Sequence, residues 1–308
     1  MTGKSYPLVS IILVNYNVAK VTAECIESLQ QISYPHFEII VVDNASTKED
    51  PSWLGKKYPF IRYIQSEKNL GFAGGNNLGI KNSKGEYILL LNNDTEVDPG
   101  FLEPLVDKFS EHPDIGAVSP KIRYFSRPNV IQYAGLTSLQ NFMVRNKAIG
   151  YSEVDNGQYD KDRETSYAHG AAMLVSRNVI EKVGLMADIF FLYYEELDWG
   201  YRIWQSGFKI YYVHNSVVWH KESISIGLLS PIQVYYKNRG RILYMRRNTT
   251  GINHLLAALF IAFVSIPKNY VYYAARRQWS LLNAYHRSIG WHVKNLFNRK
   301  VYQSPRLS

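Results

Sequence analysis

The chain has 308 residues, of which 46% are hydrophobic and 20% are charged, with 12 prolines and 20 glycines. This composition excludes a largely disordered chain, and the length allows one large domain or two modest ones. The one cysteine, Cys25, excludes an internal disulfide framework and a zinc site built on cysteines. Because the first residues lack the apolar stretch of a secretory signal, we expect a reducing, cytoplasmic location.

Charge is unevenly distributed along the chain. Residues 1–222 hold 22 Lys and Arg and all 26 Asp and Glu, a net charge of −4. Residues 223–308 hold 13 Lys and Arg and no acidic residue, a net charge of +13. We therefore predict an ordinary soluble domain over 1–222 and a basic region over 223–308 that meets something negative, such as lipid headgroups or nucleic acid.

Short apolar runs alternate with helical patterns in the first half of the chain. The runs typical of buried strands are Leu8–Val14, Phe37–Val42, the weaker Ile61–Ile64, and Tyr87–Leu91. The helical patterns are Val18–Ile32 and Pro99–His112. This alternation predicts an α/β fold with an open, mostly parallel sheet and helices on both faces. Ligands bind such sheets at the carboxyl ends of the strands.

The middle of the chain is less regular. Its polar, turn-rich stretch Tyr151–Ser166 predicts a mobile surface loop. The elements predicted after it are a buried strand, a helix and two short strands, at Ala168–Ser176, Glu195–Gln205, Lys209–Val213 and Ser216–Trp219. From Pro231 onward the pattern is helical.

A 12-residue apolar run, Leu255–Ile266, lies within the basic region and is followed by Pro267 and Lys268, which we expect to end it. As a helix it would be roughly 18 Å long, too short to span a hydrocarbon core of about 30 Å. Because Arg, Lys, Tyr and Trp residues flank the run, it predicts a helix lying in the membrane interface. The alternative is a basic helical subdomain packed on the first domain or on another subunit.

Polar residues follow the first two predicted strands. Asn15 and Asn17 follow the first strand, and Asp43 follows the second. A carboxylate at a strand end can accept a hydrogen bond from a nucleobase or a ribose hydroxyl, and the alternative is a turn or a helix cap.

A glycine-rich segment, Asn69 to Gly79 (NLGFAGGNNLG), follows the third predicted strand. Its glycines let the backbone approach a ligand, and we expect the helix after them to present N–H groups to an anion. The alternative is close packing of a helix on the sheet.

The strongest predicted strand ends in four short polar residues, Asn92 to Thr95. Such residues after a buried strand are costly unless they are used, and the carboxylate of Asp94 with the Asn92 amide offers oxygen ligands for Mg²⁺ or Mn²⁺. The alternative is another turn.

Three carboxylates within four residues begin the helix predicted at 195–205. Glu195 and Asp198 lie on one helical face, and Glu196 points about 100° away. Burial and mutual repulsion would raise the pKa of at least one of them toward the range of a general base, whereas an Asp198–Arg202 pair would be an ordinary helix contact. His220 ends an apolar run and is either a ligand or a structural histidine.

Taken in order, these segments resemble the inverting nucleotide-sugar glycosyltransferases of family 2, which have a GT-A fold. The segments are VSIILVNYN, EIIVVDNAS, NLGFAGGNNLG, GEYILLLNNDTEVDPGFL, HGAAMLVSR and FFLYYEELDWGYR. The resemblance covers about residues 7–222 and is greatest to bacterial rhamnosyltransferase-type enzymes. The basic stretch YYKNRGRILYMRRN resembles the tails that those enzymes often carry.

The resemblance implies a role for each polar cluster. Asp94 would hold the metal, His220 would be a further metal contact, and Glu196 would be the catalytic base beside Glu195. The residues that would contact the donor are Asn15, Asn17, Asp43, Asn69, Gly75, Asn76, Asn92 and Asn93.

The sequence departs from the family pattern at two of these positions. Asn92 stands where the family's metal motif has its first Asp, which removes one charge from the site. Glu196 stands where an Asp is expected, and Asp198 is an alternative base.

The implied function is transfer of a sugar, favoured as rhamnose, from a dTDP-, UDP- or GDP-linked donor to a hydroxyl of a glycan or lipid-linked acceptor in cell-surface polysaccharide synthesis. The cofactor is a divalent cation, Mg²⁺ or Mn²⁺. The enzyme would sit on the inner face of the cell membrane through anionic lipid, with no nucleic acid partner. The sequence predicts no particular oligomeric state.

Two alternatives of other classes remain at this point. One is a nucleotidyltransferase, although no Gly-x-Gly-x-x-Arg-like run is present. The other is a catalytically inactive membrane-surface binding protein of the same fold, which the residues at 92 and 196 keep open.

Overall fold

The computed structural model describes residues 6–139, 143–221 and 229–307. Its strands are β1 (Val9–Asn15), β2 (Phe37–Asp43), β3 (Ile61–Gln65), β4 (Tyr87–Leu91), β5 (Thr95–Val97), β6 (Ile115–Tyr124), β7 (Arg127–Tyr133), β8 (Arg163–Glu164), β9 (Ala172–Ser176) and β10 (Lys209–His220). Its α-helices are α1 (Ala19–Leu29), α2 (Trp53–Lys57), α3 (Gly71–Lys81), α4 (Leu102–Lys108), α5 (Arg177–Val183), α6 (Glu195–Gln205), α7 (Pro231–Asn248), α8 (Gly251–Phe260), α9 (Ile266–Ala275) and α10 (Trp279–Lys294). The predicted α/β class is confirmed.

One sheet runs through the first part of the chain in the order β3-β2-β1-β4-β9-β6-β10-β5. The pairs among β3, β2, β1 and β4 are parallel, as the strand–helix alternation predicts. Beyond β4 the sheet is mixed, because β9 runs antiparallel to both β4 and β6. The parallel half brings the ends of β1, β2 and β4 to one edge of the sheet.

Helices cover both faces of the sheet, and the alternation of side chains along β1 explains why. Ile11 and Leu13 point into the core cluster that contains Cys25 and Ile26 of α1. Ile12 points the other way, into the cluster that contains Ile80 of α3. Successive side chains of a strand face opposite sides, so a run that is apolar throughout requires cover on both.

Two stretches of the middle differ from the prediction. The two short strands expected between residues 209 and 219 form one strand, β10, with a register irregularity between Val213 and Val217. The stretch 151–166, expected to be a mobile loop, is tied down by the buried Lys121, which forms ion pairs with Asp155 and Asp160. Its last residues form β8 against β10.

The basic region packs directly on the first part of the chain. Ile242, Leu243 and Met245 of α7 share an apolar cluster with Phe190 and Leu197. The predicted boundary at residue 222 lies outside the described residues, but the helices after it are part of a common core. The alternative of a helical subdomain packed on the first domain therefore has direct support.

The helix that contains the apolar run Leu255–Ile266 continues past Pro267 and Lys268, so the expectation that these residues end it is wrong. The chain is helical from Gly251 to Ala275, a stretch of 25 residues. A single π-helical turn, Ile261–Ser265, precedes Pro267, whose missing N–H interrupts the regular hydrogen-bond ladder without ending the helix. This helix is long and apolar enough, by length and composition, to cross a membrane.

Candidate functional site

The ends of β1 and β2 meet as predicted. Asn15 and Asp43 are paired across the two strands and are both fully buried. The Asn15 amide donates to Asp43 Oδ1 at 2.7 Å, and Gln65 Nε2 and the Ser46 N–H donate to Oδ2 at 2.6 and 3.0 Å. Four hydrogen-bond donors, counting the Ser46 hydroxyl, therefore orient this carboxylate.

Asn17 shapes the loop that follows β2. It has a left-handed backbone, with φ of 61°, and its Oδ1 accepts the N–H groups of Thr47 and Lys48 at 2.7 and 2.9 Å. Asn tolerates this conformation better than most residues. The side chain thus fixes the loop at the rim of the strand ends.

The glycine-rich segment is the helix α3 itself, and not a loop ahead of a helix. A Cβ at Gly75 would lie 2.9 Å from Val14 Cγ1 of β1, so this glycine lets α3 pack closely on the sheet. Asn76 is buried and donates to the Phe72 carbonyl at 2.9 Å. Asn69 accepts from the Asn44 amide at 3.1 Å. The close-packing alternative is therefore supported for this segment.

The residues after β4 contact the end of β10. Asp94 Oδ1 lies 3.1 Å from His220 Nε2, and Asn92 Nδ2 lies 3.3 Å from the same nitrogen. Asn93 donates to Thr22 Oγ1 at 2.7 Å, and that hydroxyl donates to Asn15 Oδ1 at 2.8 Å. One buried hydrogen-bond network thus joins the end of β4 to the Asn15–Asp43 pair.

The contacts of His220 indicate room for a cation. Its Nδ1 lies 2.9 Å from Gln132 Oε1, an acceptor, so Nδ1 carries a proton and Nε2 is the ring nitrogen that faces the Asp94 carboxylate. Two acceptors 3.1 Å apart require a proton or a cation between or beside them. Carboxylate and imidazole are ligands that suit Mn²⁺. In the described part of the chain, no group of three His, Cys, Asp or Glu side chains surrounds this point.

Glu195 and Glu196 begin α6 after a strained turn. Tyr193 and Tyr194 both have left-handed backbones, with φ of 66° and 73°. Burial, and then the charge of Glu196, raise the pKa of Glu195 well above its usual range, and burial also raises the pKa of Glu196. Glu195 is 3% exposed, and its Oε2 has no hydrogen-bond partner among the described residues.

Asp198 has a different environment from the two glutamates. It accepts from Arg247 Nε at 2.7 Å, Arg202 Nε at 3.0 Å and Asn248 Nδ2 at 2.9 Å. Burial acts to raise its pKa, but the charges of Arg202 and Arg247 hold the pKa below the usual value for Asp. These contacts favour a structural role for Asp198 over the alternative role as a base.

The segment before β9 links the two halves of the site. The rings of His169 and His220 have centroids 6.4 Å apart, and a Cβ at Gly170 would lie 3.8 Å from Glu196 Cγ. Burial, and then the charge of His220, lower the pKa of His169 to about 3, so this histidine is neutral. His169 is therefore a neighbour of His220, and the next residue, Gly170, is a neighbour of Glu196.

Sequence reasoning missed several residues of this site. Thr22 and Gln132 come from segments without a distinctive pattern, and only the fold brings them to the strand ends. His169 begins the segment HGAAMLVSR, which carries part of the resemblance, but it was given no role. Arg239 donates to the Ile189 carbonyl at 2.7 Å, and a Cβ at Gly240 would lie 2.8 Å from the Tyr193 carbonyl oxygen. Helix α7 thus supports the turn before Glu195. The His-Gly pair ahead of an apolar run was the one signal available for His169.

Comparison with known proteins shows which family the sequence matches. The family model "Glycosyl transferase family 2" matches residues 10–184. The low-salt glycan biosynthesis hexosyltransferase Agl10 of Haloferax volcanii is 29% identical over 239 residues, which cover 76% of this chain and 74% of Agl10. The N-acetylglucosaminyl-diphospho-decaprenol L-rhamnosyltransferase of Mycobacterium tuberculosis is 25% identical over 237 residues, which cover 70% of this chain and 77% of the relative.

Solved structures show the same fold. The mannosyltransferase PcManGT from Pyrobaculum calidifontis, in complex with GDP-Man and Mn²⁺, has a TM-score of 0.59 at 17% identity, over 96% of this chain and 89% of that one. GalNAc-T7 with UDP, GalNAc and Mn²⁺ has a TM-score of 0.65 at 17% identity, over 79% of this chain and 48% of that one. The predicted GT-A fold is thereby confirmed.

Proposed function

The chain belongs to glycosyl transferase family 2, and from that premise we propose that it moves a sugar from a nucleotide-diphosphate donor to a hydroxyl of a glycan or lipid-linked acceptor. We propose a single displacement that inverts the anomeric centre and is assisted by a divalent cation. The observation that supports this best is the contact of Asp94 with His220, next to His169, together with the contact of Glu196 with the following residue, Gly170.

The donor site is proposed at the ends of β1, β2 and β4. The oriented Asp43 carboxylate can accept hydrogen bonds from the nucleoside, and Asn17 holds the adjoining loop. The buried network through Thr22 and Asn93 fixes these side chains before the donor arrives. Such preorganisation lowers the entropic cost of binding.

Asp94 and His220 would hold Mg²⁺ or Mn²⁺, with Asn92 beside them. When bound, the cation supplies positive charge that stabilises the leaving diphosphate. PcManGT was solved with GDP-Man and Mn²⁺, and GalNAc-T7 with UDP, GalNAc and Mn²⁺, which supports a divalent cation in the proposed reaction. The Gln132 contact keeps the His220 Nε2 lone pair available.

Glu196 is the proposed general base. It lies beside Gly170, the residue after His169, and burial raises its pKa, which strengthens it as a proton acceptor. In the reaction, Glu196 takes the proton of the acceptor hydroxyl as that oxygen forms its bond to the anomeric carbon and the bond to the diphosphate breaks. Glu195 is more deeply buried, and we assign it the positioning of Glu196.

The donor can be named by a thermal-shift panel of dTDP, UDP and GDP and their common sugars, each with Mn²⁺, Mg²⁺ or EDTA. The relative from Mycobacterium tuberculosis is a rhamnosyltransferase by name, so dTDP-rhamnose is tested first. A ligand at 100 times its dissociation constant adds about 2.7 kcal/mol of stability. We expect a metal-dependent shift with one nucleotide, reduced in Asp94→Ala. The absence of a shift with every ligand would contradict the proposal and favour an inactive membrane-binding protein.

We also propose that the enzyme lies on the inner face of the cell membrane. Residues 223–308 carry 13 cations and no acidic side chain, which suits anionic lipid. Along the helix Gly251–Ala275, Ala257, Ile261 and Ser265 are buried, four residues apart on one face. Exposed apolar side chains line the remainder: Ile252, Leu255, Leu256, Leu259, Phe263 and Val264. A helix packed on one side and apolar on the other suits an interfacial position.

A further inference from the structure

A cleft of about 580 Å³ lies apart from the proposed catalytic site. It is formed by the segments before and after β8, the second half of α6, and the junction of α7 and α8. Tyr201 of α6 lines it, about 140° around the helix axis from Glu196. Of the described residues that line the cleft, none is a proposed metal ligand, base or donor contact. The cleft is therefore a separate site.

Aromatic rings form part of the cleft wall. Trp204 is 59% exposed, and its ring lies 5.8 Å from that of Tyr201, centroid to centroid. The Tyr167 and Tyr244 hydroxyls lie 3.0 Å apart and form a hydrogen bond with each other. Both residues also line the cleft. An indole left exposed in a concave surface offers a flat apolar face to a ligand.

Polar groups converge on the same space. The side chains of Ser138, Ser166, Thr250 and Asn253 line the cleft. Within the described ranges, these four side chains take part in no intramolecular hydrogen bond. Together they offer donors and acceptors of the kind that fix the orientation of a bound small molecule.

The charge of the lining restricts the ligand class. Among the described residues of the lining, Glu164 is the one Asp, Glu, Lys, Arg or His. Without a cation the cleft is unsuited to phosphate, so a nucleotide or a nucleotide sugar is disfavoured. A lipid chain is disfavoured by the polar groups. A neutral ligand with many hydroxyls and flat C–H faces matches both the aromatic rings and the uncharged polar side chains of the cleft.

We propose that this cleft binds neutral sugar residues of a glycan, away from the site of sugar transfer. The rings of Trp204 and Tyr201 pack on the C–H faces of the sugar, and Asn253 and Thr250 bond to its hydroxyls. The inference extends the proposed function by a second glycan contact. Binding at the cleft needs no donor, metal or turnover, so it can be tested even if the proposed transfer reaction fails.

The test uses the full chain and a series of neutral malto-, cello-, chito- and manno-oligosaccharides, with saturation-transfer NMR to detect contact and calorimetry to measure affinity. We expect at least one series to bind, with about tenfold or greater weakening in Trp204→Ala. Asn253→Ala, an exposed substitution in α8, should weaken binding less. Trp279→Ala is the matched control, because Trp279 is 62% exposed and lies outside the cleft.

The two tryptophan variants show whether the sugar binds in the cleft or elsewhere on the protein. Retained binding in Trp279→Ala with loss in Trp204→Ala, at unchanged unfolding temperature, supports the cleft. No binding by any oligosaccharide, or equal binding by the two tryptophan variants, overturns it. Competition by UDP, GDP or dTDP would assign the binding to the donor site and would also overturn it.

Discussion

At the scale of single residues, the two glutamates at the start of α6 have different surroundings despite being adjacent. Glu195 is enclosed, with one oxygen lacking a partner among the described residues, whereas Glu196 is half-buried beside Gly170. A buried carboxylate without a full set of partners destabilises the folded chain when it is ionised. We therefore expect the two glutamates to lower the stability of the folded chain while they raise the basicity that the proposed reaction needs.

Replacement of Glu196 by Gln should lower the transfer rate by about 10²–10⁴ with little change in donor affinity, because the proton acceptor is lost. In the wild type the rate should fall as pH is lowered through the pKa of Glu196, which burial raises above the usual glutamate value. Initial-rate measurements across pH test this. Glu181→Gln, an exposed change in α5, is the control and should match the wild type. Full activity in Glu196→Gln would exclude it as the base.

Replacement of Glu195 by Gln should raise the unfolding temperature at pH 8. The pKa of Glu195 is higher in the folded chain than in the unfolded chain. The protonated side chain therefore stabilises the folded chain fully at pH values below the unfolded-state pKa, and this stabilisation is lost as pH rises through the folded-state pKa. The amide does not ionise and avoids that loss. Thermal unfolding at pH 5 and pH 8 should show the advantage of the variant narrowing at the lower pH. An advantage independent of pH would point to packing as its cause.

At the scale of elements, helix α7 supports the turn that precedes Glu195. The close approach of Gly240 to the Tyr193 carbonyl leaves no room for a side chain, and Arg239 bonds to the carbonyls of Ile189 and Phe190. The left-handed residues before α6 are held from outside by this helix. The basic region thus contributes to the site through one of its own helices.

Replacement of Gly240 by Ala should therefore lower both the unfolding temperature and the transfer rate, since the new methyl group would lie 2.8 Å from the Tyr193 oxygen. Gly290→Ala in α10 is the matched control. Nothing lies within 4 Å of its added methyl group, so it should be neutral or stabilise by about 1 kcal/mol. If both variants behaved alike, close packing at 240 would not explain the effect.

The sequence predicts the elements that repeat a simple period and misses those decided by distant contacts. The apolar run of β4 and the polar residues after it identify both a strand and a strand-end site. The stretch 151–166 looks like a free loop, because the ion pairs of Lys121 that fix it come from a strand thirty or more positions earlier. Pro267 looks like a helix end, because the π-turn that accommodates it has no sequence period of its own.

The candidate site divides in the same way. Asp94, His220 and Glu196 were predicted with a resemblance to guide the choice. The fold brings Asp94 into contact with His220 and places Glu196 beside Gly170, the residue after His169. Gly75 was predicted as a ligand contact, but glycine serves close packing equally well, and sequence alone does not separate the two uses. Asp198 differs from Glu196 through its bonds from Arg202, Arg247 and Asn248, and the last two lie 49 and 50 positions away in the chain.

At the scale of the whole molecule, the two differently charged parts share an apolar cluster. Removal of residues 223–308 would uncover Phe190 and Leu197 and would leave Asp198 without Arg247. Loss of one member of a buried ion pair alone costs about 3–5 kcal/mol. We expect residues 1–222 expressed alone to lack a cooperative unfolding transition by circular dichroism. A cooperative and active fragment would show that the first part folds independently.

The whole molecule should also bind anionic liposomes and release them at high salt, because surface charge attraction is screened. Flotation with phosphatidylglycerol and with phosphatidylcholine vesicles measures this. Phe263→Glu, at a side chain that is 75% exposed, should weaken binding, and Phe60→Glu, 50% exposed on the first part of the chain, is the control. Equal flotation with both lipids would contradict electrostatic attachment.

The contacts of Arg247 have a consequence for sequence variation among homologues and for protein engineering. This guanidinium joins Asp198 on α6 to the carbonyl of Val301 and the hydroxyl of Ser304 near the end of the chain. A hybrid that took its C-terminal helices from a relative would need a compatible cation opposite Asp198. Among homologues, positions 198 and 247 should therefore change together. A hybrid that takes only one of the two residues from a relative with a different pair should fail to fold.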